Sequence, residues 1–345
     1  MLLNRLCCFV VVSLSVLGCS DPDPIQRISG PAQGSTFMVS YWSEQQVDKA
    51  ALEQKLKQEL DRIDQLMSNY RPDSVIEGFN TQQSAEPVEV GTELVQLVQI
   101  AREVSAHSQG CYDLTIKPFF ELWGFRGDKL TKPSDEQIAE TKALIGLDKV
   151  KTISHSQLAK TQASLRIDVS SIAQGYTVAQ LAKLMDQAGI ENYLVEVGGE
   201  LVSRGRKPEQ KQWRIAIEKP LPDSQTLQKI IAVEQTQPLA IMTSGTYRHF
   251  YDEAGVRYSH VLDGRTGAPV THPTVSTTIL LPDATWADAW STAFLCLGSE
   301  QGLPLADKLK LPVLFIDQQG SSFVEKPSQA LTEALASKQA FSFVE

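Results

Sequence analysis

Residues Thr274 to Gly298 read TVSTTILLPDATWADAWSTAFLCLG, and the pattern changes period within this one stretch. The opening TVSTTILL is β-branched and apolar, as a strand is. After Pro282 and Asp283, the apolar positions of ATWADAWSTAFLCLG follow helical spacing. Working outward, five more short β-rich runs come first: WRIAIE (213–218), KIIAVE (229–234), LAIMT (239–243), YRHFYD (247–252) and VRYSHVLD (256–263). Several are joined by tight turns such as Asp252-Glu253-Ala254-Gly255. After the helix, PVLFID (312–317) and SSFVEK (321–326) read as a closing hairpin. Strands clustered in this way, with helices at intervals, predict an α+β fold with mixed or antiparallel sheets and flanking helices, not a doubly wound parallel sheet.

Toward the N-terminus the helical signal dominates. Leu52, Leu56, Leu60, Ile63 and Met67 recur on one face, and Leu94, Leu97, Val98, Ala101 and Val104 repeat the spacing. Between them MSNYRPDSVIEGFN (67–80) reads as a loop, because Pro72 and Asp73 break the period. Ser134 with Gln137 resembles a capping box opening a helix toward Ile145. LRIDV (165–169) then reads as a strand and residues 170–189 as a helix ending at Gly189. NYLVEVGGELVSRG (192–205) reads as a strand interrupted at Gly198-Gly199.

The chain has 345 residues, 42% hydrophobic and 21% charged, a globular balance able to bury a sizeable core. A net charge of −9, with no basic patch, argues against nucleic acid as a partner. Residues 1–18, MLLNRLCCFVVVSLSVLG, read as a signal peptide too short to span a membrane as a mature helix. Cys19 directly after Gly18 fits a bacterial lipoprotein signal in which this cysteine is lipidated; an ordinary secretory signal is the alternative. Residues 19–29, with Asp21-Pro22-Asp23-Pro24, then form a tether, and 30–345 the folded domain. Cys111 and Cys296 remain as thiols far apart in sequence, and whether they pair is open.

Asp288 and Thr292 lie four residues apart, hence on one helix face, as two hard oxygen donors. They suit half of a Mg2+ site, and equally a solvated surface pair. At Asp168-Val169-Ser170-Ser171 a strand gives way to a helix, whose N-terminus suits phosphate; a plain serine N-cap is the alternative. Gly198-Gly199 reads as a bulge or a close approach of backbone to ligand. Thr243 to Thr246 and Gly264 to Gly267 read as turns near His260, a histidine on an apparent strand that is either a base or structural. GxGxxG opening a helix, GxxxxGK[ST], HExxH and GxSxG do not occur.

Taken in order, GSTFMVSY, MSNYRPDSVIEGFN, GCYDLTIKPFFELWGF, IDVSSIAQGYTVAQLAKLM, GIENYLVEVGGEL, TSGTYRHF, YSHVLDGRTGAPV and ADAWST resemble the ApbE-type family, the FAD:protein FMN transferases. The resemblance covers nearly everything from Gly30 onward. It implies an ApbE-like fold on which FAD is cleaved at its pyrophosphate, FMN passes to a threonine hydroxyl of a target protein and AMP leaves, with Mg2+ assisting. By position it implies Asp288, Thr292 and Ser171 as metal ligands. Gln33, Tyr70, Cys111, Tyr112, Asp113, Asp168, Gln174, His260 and Val261 would line the flavin nucleotide site. His260 would act as base or orienter, with Asp263 and the Arg265-Thr266-Gly267 turn shaping the pocket.

The chain departs from the family pattern at Gln33, Gln174, Thr246 and Gly264, where methionine, lysine or glutamate, aspartate, and proline are common. The acceptor implied is a membrane-bound electron-transfer subunit with a short threonine-containing motif. The place implied is the periplasmic face of the bacterial cell envelope, at the inner membrane by family, with the outer membrane open. FAD hydrolysis to FMN and AMP, and a non-enzymatic flavin-binding lipoprotein, are the alternative readings.

Overall fold

A computed structural model of the chain describes residues 24–125, 129–221, 226–233, 235–247, 250–253, 256–337 and 340–344. The expected signal peptide, the lipidation site Cys19 and the start of the tether lie outside these residues. Regular structure already begins at Gln26, so the last residues of the tether expected over 19–29 belong to a strand.

Among the described residues, eight strands form the main sheet: β1 (Gln26–Ala32), β2 (Ser35–Trp42), β3 (Asn192–Val197), β4 (Glu200–Gly205), β5 (Gln235–Gly245), β6 (Thr274–Leu281), β7 (Val313–Gln319) and β8 (Ser322–Pro327). Their spatial order is their chain order, and each neighbouring pair is antiparallel. The α+β class with antiparallel sheets therefore holds. Two of the links explain the pairing locally. Gln33-Gly34 joins β1 to β2 and Gly198-Gly199 joins β3 to β4, all four with positive φ. Two-residue loops of that kind match the twist of an antiparallel pair. NYLVEVGGELVSRG is accordingly a hairpin, with Val197 opposite Glu200, and not one interrupted strand.

The remaining helices are α1 (Lys49–Met67), α2 (Val75–Thr81), α3 (Gly91–His107), α4 (Lys117–Leu122), α5 (Asp135–Lys142), α6 (Ser170–Gln187), α7 (Ala284–Leu309) and α8 (Gln329–Ser337). α6 and α7 cover one face of the sheet, with α1 packed on α6 and α3 on α7. A small sheet of Trp213–Glu218, Leu227–Val233 and Phe341–Val344, together with α8, covers the other. Central strands therefore bury both faces. Ala240 and Met242 of β5 join the helical core while Leu239 and Ile241 join the smaller one, and Val313/Phe315 and Leu314/Ile316 of β7 divide likewise. The period of two along a strand sends alternate side chains to opposite layers. α1 buries Leu52, Leu56, Leu60, Ile63 and Met67, the stripe its spacing predicts. Ser134 and Gln137 form the capping box, and α5 stops at Lys142, short of Ile145.

Elsewhere the fold differs from the linear reading. Half of the expected loop 67–80 is α2: Ser74 caps it by accepting from Glu77 N at 3.2 Å, and the Pro72-Asp73 break lies just upstream. Leu165–Val169 is not a strand, because side chains take its hydrogen bonds: Asn80 Oδ1 accepts from Ile167 N and Asn69 Oδ1 from Val169 N. VRYSHVLD splits into Val256–Ser259 and Leu262–Asp263, with His260 at the bend between. Thr243–Gly245 continue β5, paired with Ser276–Thr278 of β6, and are not a turn. α7 runs past the expected end, broken at Gly298 (φ 69), where a Cβ would stand 2.6 Å from the His272 ring.

Candidate active site

α6 and α7 cross at Gly175, where a Cβ would lie 2.4 Å from both Ala284 O and Asp288 Cβ. That approach lets Gly175 N donate to Asp288 Oδ2 at 2.7 Å, fixing a buried carboxylate between two helices. Burial pushes Asp288 up to about 7, against the pull of the Gly175 hydrogen bond. Hydroxyls gather beside it. Ser244 Oγ at the end of β5 lies 2.7 Å from Ser291 Oγ and 3.3 Å from Thr292 Oγ1. Across the site, Ser171 Oγ donates to Tyr112 OH at 3.1 Å. Tyr112 is itself buried, and its hydroxyl is held protonated by burial and by the nearby Asp288, Asp113 and Asp168.

Tyr112, Ser171, Ser244, Asp288 and Thr292 face one cavity of about 340 Å3. It brings together Cys111, Tyr112, Asp113, Asp168, Ser171, Gln174, His260, Val261, Asp288 and Thr292, all of them expected from sequence. Gln33 and Tyr70 line a neighbouring cavity of about 630 Å3, which shares Ser170 and Gln174 with the first. Tyr70 is 82% exposed at its edge. Gln33 Nε2 donates to Thr177 Oγ1 at 2.7 Å, while its Oε1 is buried with no protein partner.

The individual roles differ from a simple roll of ligand contacts. Asp113 is spent on backbone and loop contacts, Oδ1 accepting from Thr115 N at 2.7 Å and Thr115 Oγ1 at 2.6 Å and Oδ2 from Leu147 N at 3.3 Å, and burial raises its pKa. Asp168 Oδ1 accepts from Ser170 N at 3.0 Å, and Val169 stands at the N-cap of α6 without a side-chain cap, so the serine N-cap does not form. Ile172 N is likewise taken by Val169 O, which reduces the number of helix-start N–H groups left to meet a phosphate. Gly198 makes room for Gln174: a Cβ there would stand 2.2 Å from Gln174 Nε2. Asp263 is clamped by Arg265, whose Nη2 lies 2.7 Å from Oδ2, and Gly264 N donates to Cys111 O at 3.1 Å. The Asp263–Gly267 turn is thus packed against the Cys111 loop.

Cys111 and Cys296 form a disulfide, Cα to Cα 6.0 Å, in the cavity wall. It settles the pairing that sequence left open and ties the Tyr112–Asp113 loop to the helix of Asp288 and Thr292.

Sequence reasoning missed Ser244 as a neighbour of α7, Ser291 and the lining role of Glu200, whose Oε2 accepts from Thr243 N at 3.2 Å. Ser291 was findable, three residues from Asp288 on the same helical face. The lining residues include four carboxylates, Asp113, Asp168, Glu200 and Asp288, and, among the described residues, no lysine or arginine. A buried carboxylate, with no cationic partner among the described residues and with the hydroxyls of Ser171, Ser244 and Thr292 lining the same cavity, fits a small hard divalent cation such as Mg2+. The cluster of Cys111, Cys296 and Asp263 does not offer a second metal site, since both sulfurs are bonded to each other.

Comparison with known proteins matches residues 33–315 to the ApbE family. The FAD:protein FMN transferase of Vibrio cholerae is 35% identical, over 94% of this chain and 96% of that protein. Its counterpart in Escherichia coli K12 is 36% identical, over 91% of this chain and 92% of that one. The solved flavin transferase ApbE from Vibrio cholerae superimposes with a TM-score of 0.81 at 35% identity, covering 90% of this chain and 99% of that chain.

Proposed function

The chain belongs to the ApbE family, and we propose that it is an FAD:protein FMN transferase that moves FMN from FAD to a threonine hydroxyl of a target protein and releases AMP. The observation that carries this reading is the charge of the cavity. A diphosphate enters a site with four carboxylates, and no described lysine or arginine, only alongside a divalent cation. Asp288, Thr292 and Ser171 would hold Mg2+, which when bound offsets the charge of the two phosphates.

The chain's own residues supply the rest. The second cavity, with Gln33 and exposed Tyr70, suits the planar end of the flavin nucleotide. His260 lines the first cavity and takes the proton of the acceptor hydroxyl as its oxygen bonds to the FMN phosphorus. The bond to the AMP phosphate breaks, and AMP leaves with the electron pair. The disulfide and the Asp263–Arg265 clamp keep the opposite wall fixed, so Tyr112 and Asp168 stay in register with α7.

The domain would be anchored through lipid on Cys19 and work on the periplasmic side of the envelope. A disulfide supports an oxidising compartment, and among the described residues no helix is long and apolar enough to cross a membrane. The acceptor would be an electron-transfer subunit at that membrane. Incubating the purified chain with FAD and Mg2+, with and without an acceptor protein, tests the reading by product. AMP with covalent flavin on the acceptor supports transfer. AMP and FMN regardless of acceptor would mean hydrolysis, and no AMP would mean a flavin carrier. Globomycin treatment or Cys19→Ala should leave an unprocessed, unlipidated chain; unchanged processing would refute the anchor.

A further inference from the structure

The approach to α6 is held in an unusual way. Segment Ile167–Val169 carries Asp168 and leads directly to Ser171, yet no neighbouring strand pairs with it. Two asparagine side chains substitute for one. Asn80 Oδ1 accepts from Ile167 N at 2.7 Å and Asn69 Oδ1 from Val169 N at 3.1 Å, while both Nδ2 groups donate to Ile167 O, at 2.9 and 3.0 Å.

An amide side chain can fit the same space turned by 180°, which exchanges its oxygen and its NH2. Turned that way, each asparagine would present NH2 to the backbone N–H groups of Ile167 and Val169, donor against donor. The backbone of Ile167 and Val169 already favours the orientation seen, and one atom outside the segment reinforces it at both amides. Glu77 Oε1, from α2, accepts from both Nδ2 groups at 2.9 Å, and a carboxylate only accepts. Burial pushes the Glu77 pKa up, but the hydrogen bonds from Asn69, Lys117 and Asn80 outweigh it and keep the group ionised. Lys117 Nζ also lies 2.9 Å from Oε1, with the lysine side chain buried and the glutamate largely so, at 5% and 14% exposure. Lys117 starts α4, just after the loop of Tyr112 and Asp113. Asp168 N donates to Leu114 O of that same loop at 2.7 Å.

We propose that Glu77, with Lys117 as its counter-ion, is a positioning residue for the transfer site: it fixes the orientation of the Asn69 and Asn80 amides and so places Asp168 and Ser171. The inference rests on the reading of Ser171 as part of the metal and phosphate site. A lone buried ion pair is weak evidence of stabilisation, since apolar groups of similar volume often serve as well. Here the pair's acceptor oxygen has an orienting task that an apolar group cannot perform.

The test uses the full mature chain, free of FAD, with two readouts: hydrogen exchange of the peptides covering 165–171, and Mg2+ affinity by titration calorimetry. Glu77→Leu should raise exchange at Ile167 and Val169 at least tenfold and weaken Mg2+ binding at least fivefold, with exchange in β5 and β6 unchanged. Glu77→Gln/Lys117→Met keeps an acceptor oxygen without buried charge and should stay within threefold of the parent on both readouts. A Glu77→Leu chain that folds and matches the parent on both readouts overturns the inference, as does one that loses protection equally everywhere. If Glu77→Leu does not fold, the double variant decides alone: retention supports the orienting role, and loss of protection or affinity overturns it. Ser171→Ala serves as the control on the site itself. If it leaves Mg2+ binding unchanged, the site reading falls and takes this inference with it; if it weakens binding while the Glu77 variants do not, only the inference falls.

Discussion

Replacing Asp288 by asparagine should make the metal-free protein more stable at neutral and alkaline pH, although it removes a carboxylate proposed as a metal ligand. Burial raises this carboxyl from an ordinary 3.8 to about 7. The folded chain therefore keeps a proton that the unfolded chain has already released. Stability is complete below the unfolded value, declines as pH rises toward 7, and stays low above it. At about 1.4 kcal/mol per pH unit the whole difference is about 4 kcal/mol, of which about 3 kcal/mol falls between pH 5 and pH 8.

Asparagine has the same shape, accepts from Gly175 N through its oxygen and carries no charge to desolvate. Urea unfolding in chelator at pH 5 and pH 8 should show the advantage of Asp288→Asn growing by about 3 kcal/mol across that range. Mg2+ at a hundredfold excess over its Kd should add about 2.7 kcal/mol to the parent and nothing to the variant. Comparing the two chains at each pH cancels the titration of groups that do not interact with Asp288. A difference that stays flat with pH would refute the buried-charge argument, and a variant that Mg2+ stabilises as much as the parent would refute the metal assignment.

Reducing the Cys111–Cys296 disulfide releases a cross-link of sequence separation 185, worth about 5 kcal/mol by loop entropy; urea midpoints with and without dithiothreitol measure it, and equal midpoints would contradict the estimate. His260→Gln should lower covalent flavin transfer by about 10² to 10⁴ with FAD affinity retained. Fluorescence titration of FAD against single-turnover rates separates the two, and loss of affinity alone would reassign the residue to binding. Tyr70→Ala should raise KM for FAD by about two- to tenfold, matching an aromatic contact of about 0.5–1.5 kcal/mol, with kcat within about twofold by the reasoning that this contact is made equally in ground and transition states. Gly175→Ala forces a methyl group against Ala284 O and should destabilise by about 1–3 kcal/mol in thermal or urea melts, the usual cost of overpacking.

Some of the site was legible because it is written at helical spacing. Asp288 and Thr292 share a face whatever α7 packs against, and Ser171 sits in the first turn of α6, whose first N–H donates to Asp168. Other parts were legible only by resemblance. Gln33 and Tyr70 line a different cavity from His260, joined to it through Ser170 and Gln174, and no spacing rule connects residue 33 with residue 174. The strand expected at Leu165–Val169 failed for an instructive reason. Its composition suits a strand, but Asn69 and Asn80 reach it from a hundred and some ninety positions away, and their amides take the bonds that a strand would make. MSNYRPDSVIEGFN misled in the same direction, because a proline just before a serine cap resembles the middle of a loop.

By itself the sequence determined what is local: the buried stripe of α1, the capping box of α5, the clustered strands and the two hard donors one turn apart on α7. Backbone dihedrals and side-chain period depend on near neighbours, so a short window contains them. Tertiary structure alone decided which surfaces meet. The Gly175 crossing that brings Asp288 under α6, the Ser244 hydroxyl supplied by β5, the cysteine pair and the acceptor oxygen of Glu77 all join residues distant along the chain. Such contacts form only when burial of both sheet faces has fixed the relative positions of the layers, and that burial is a property of the whole chain rather than of any segment.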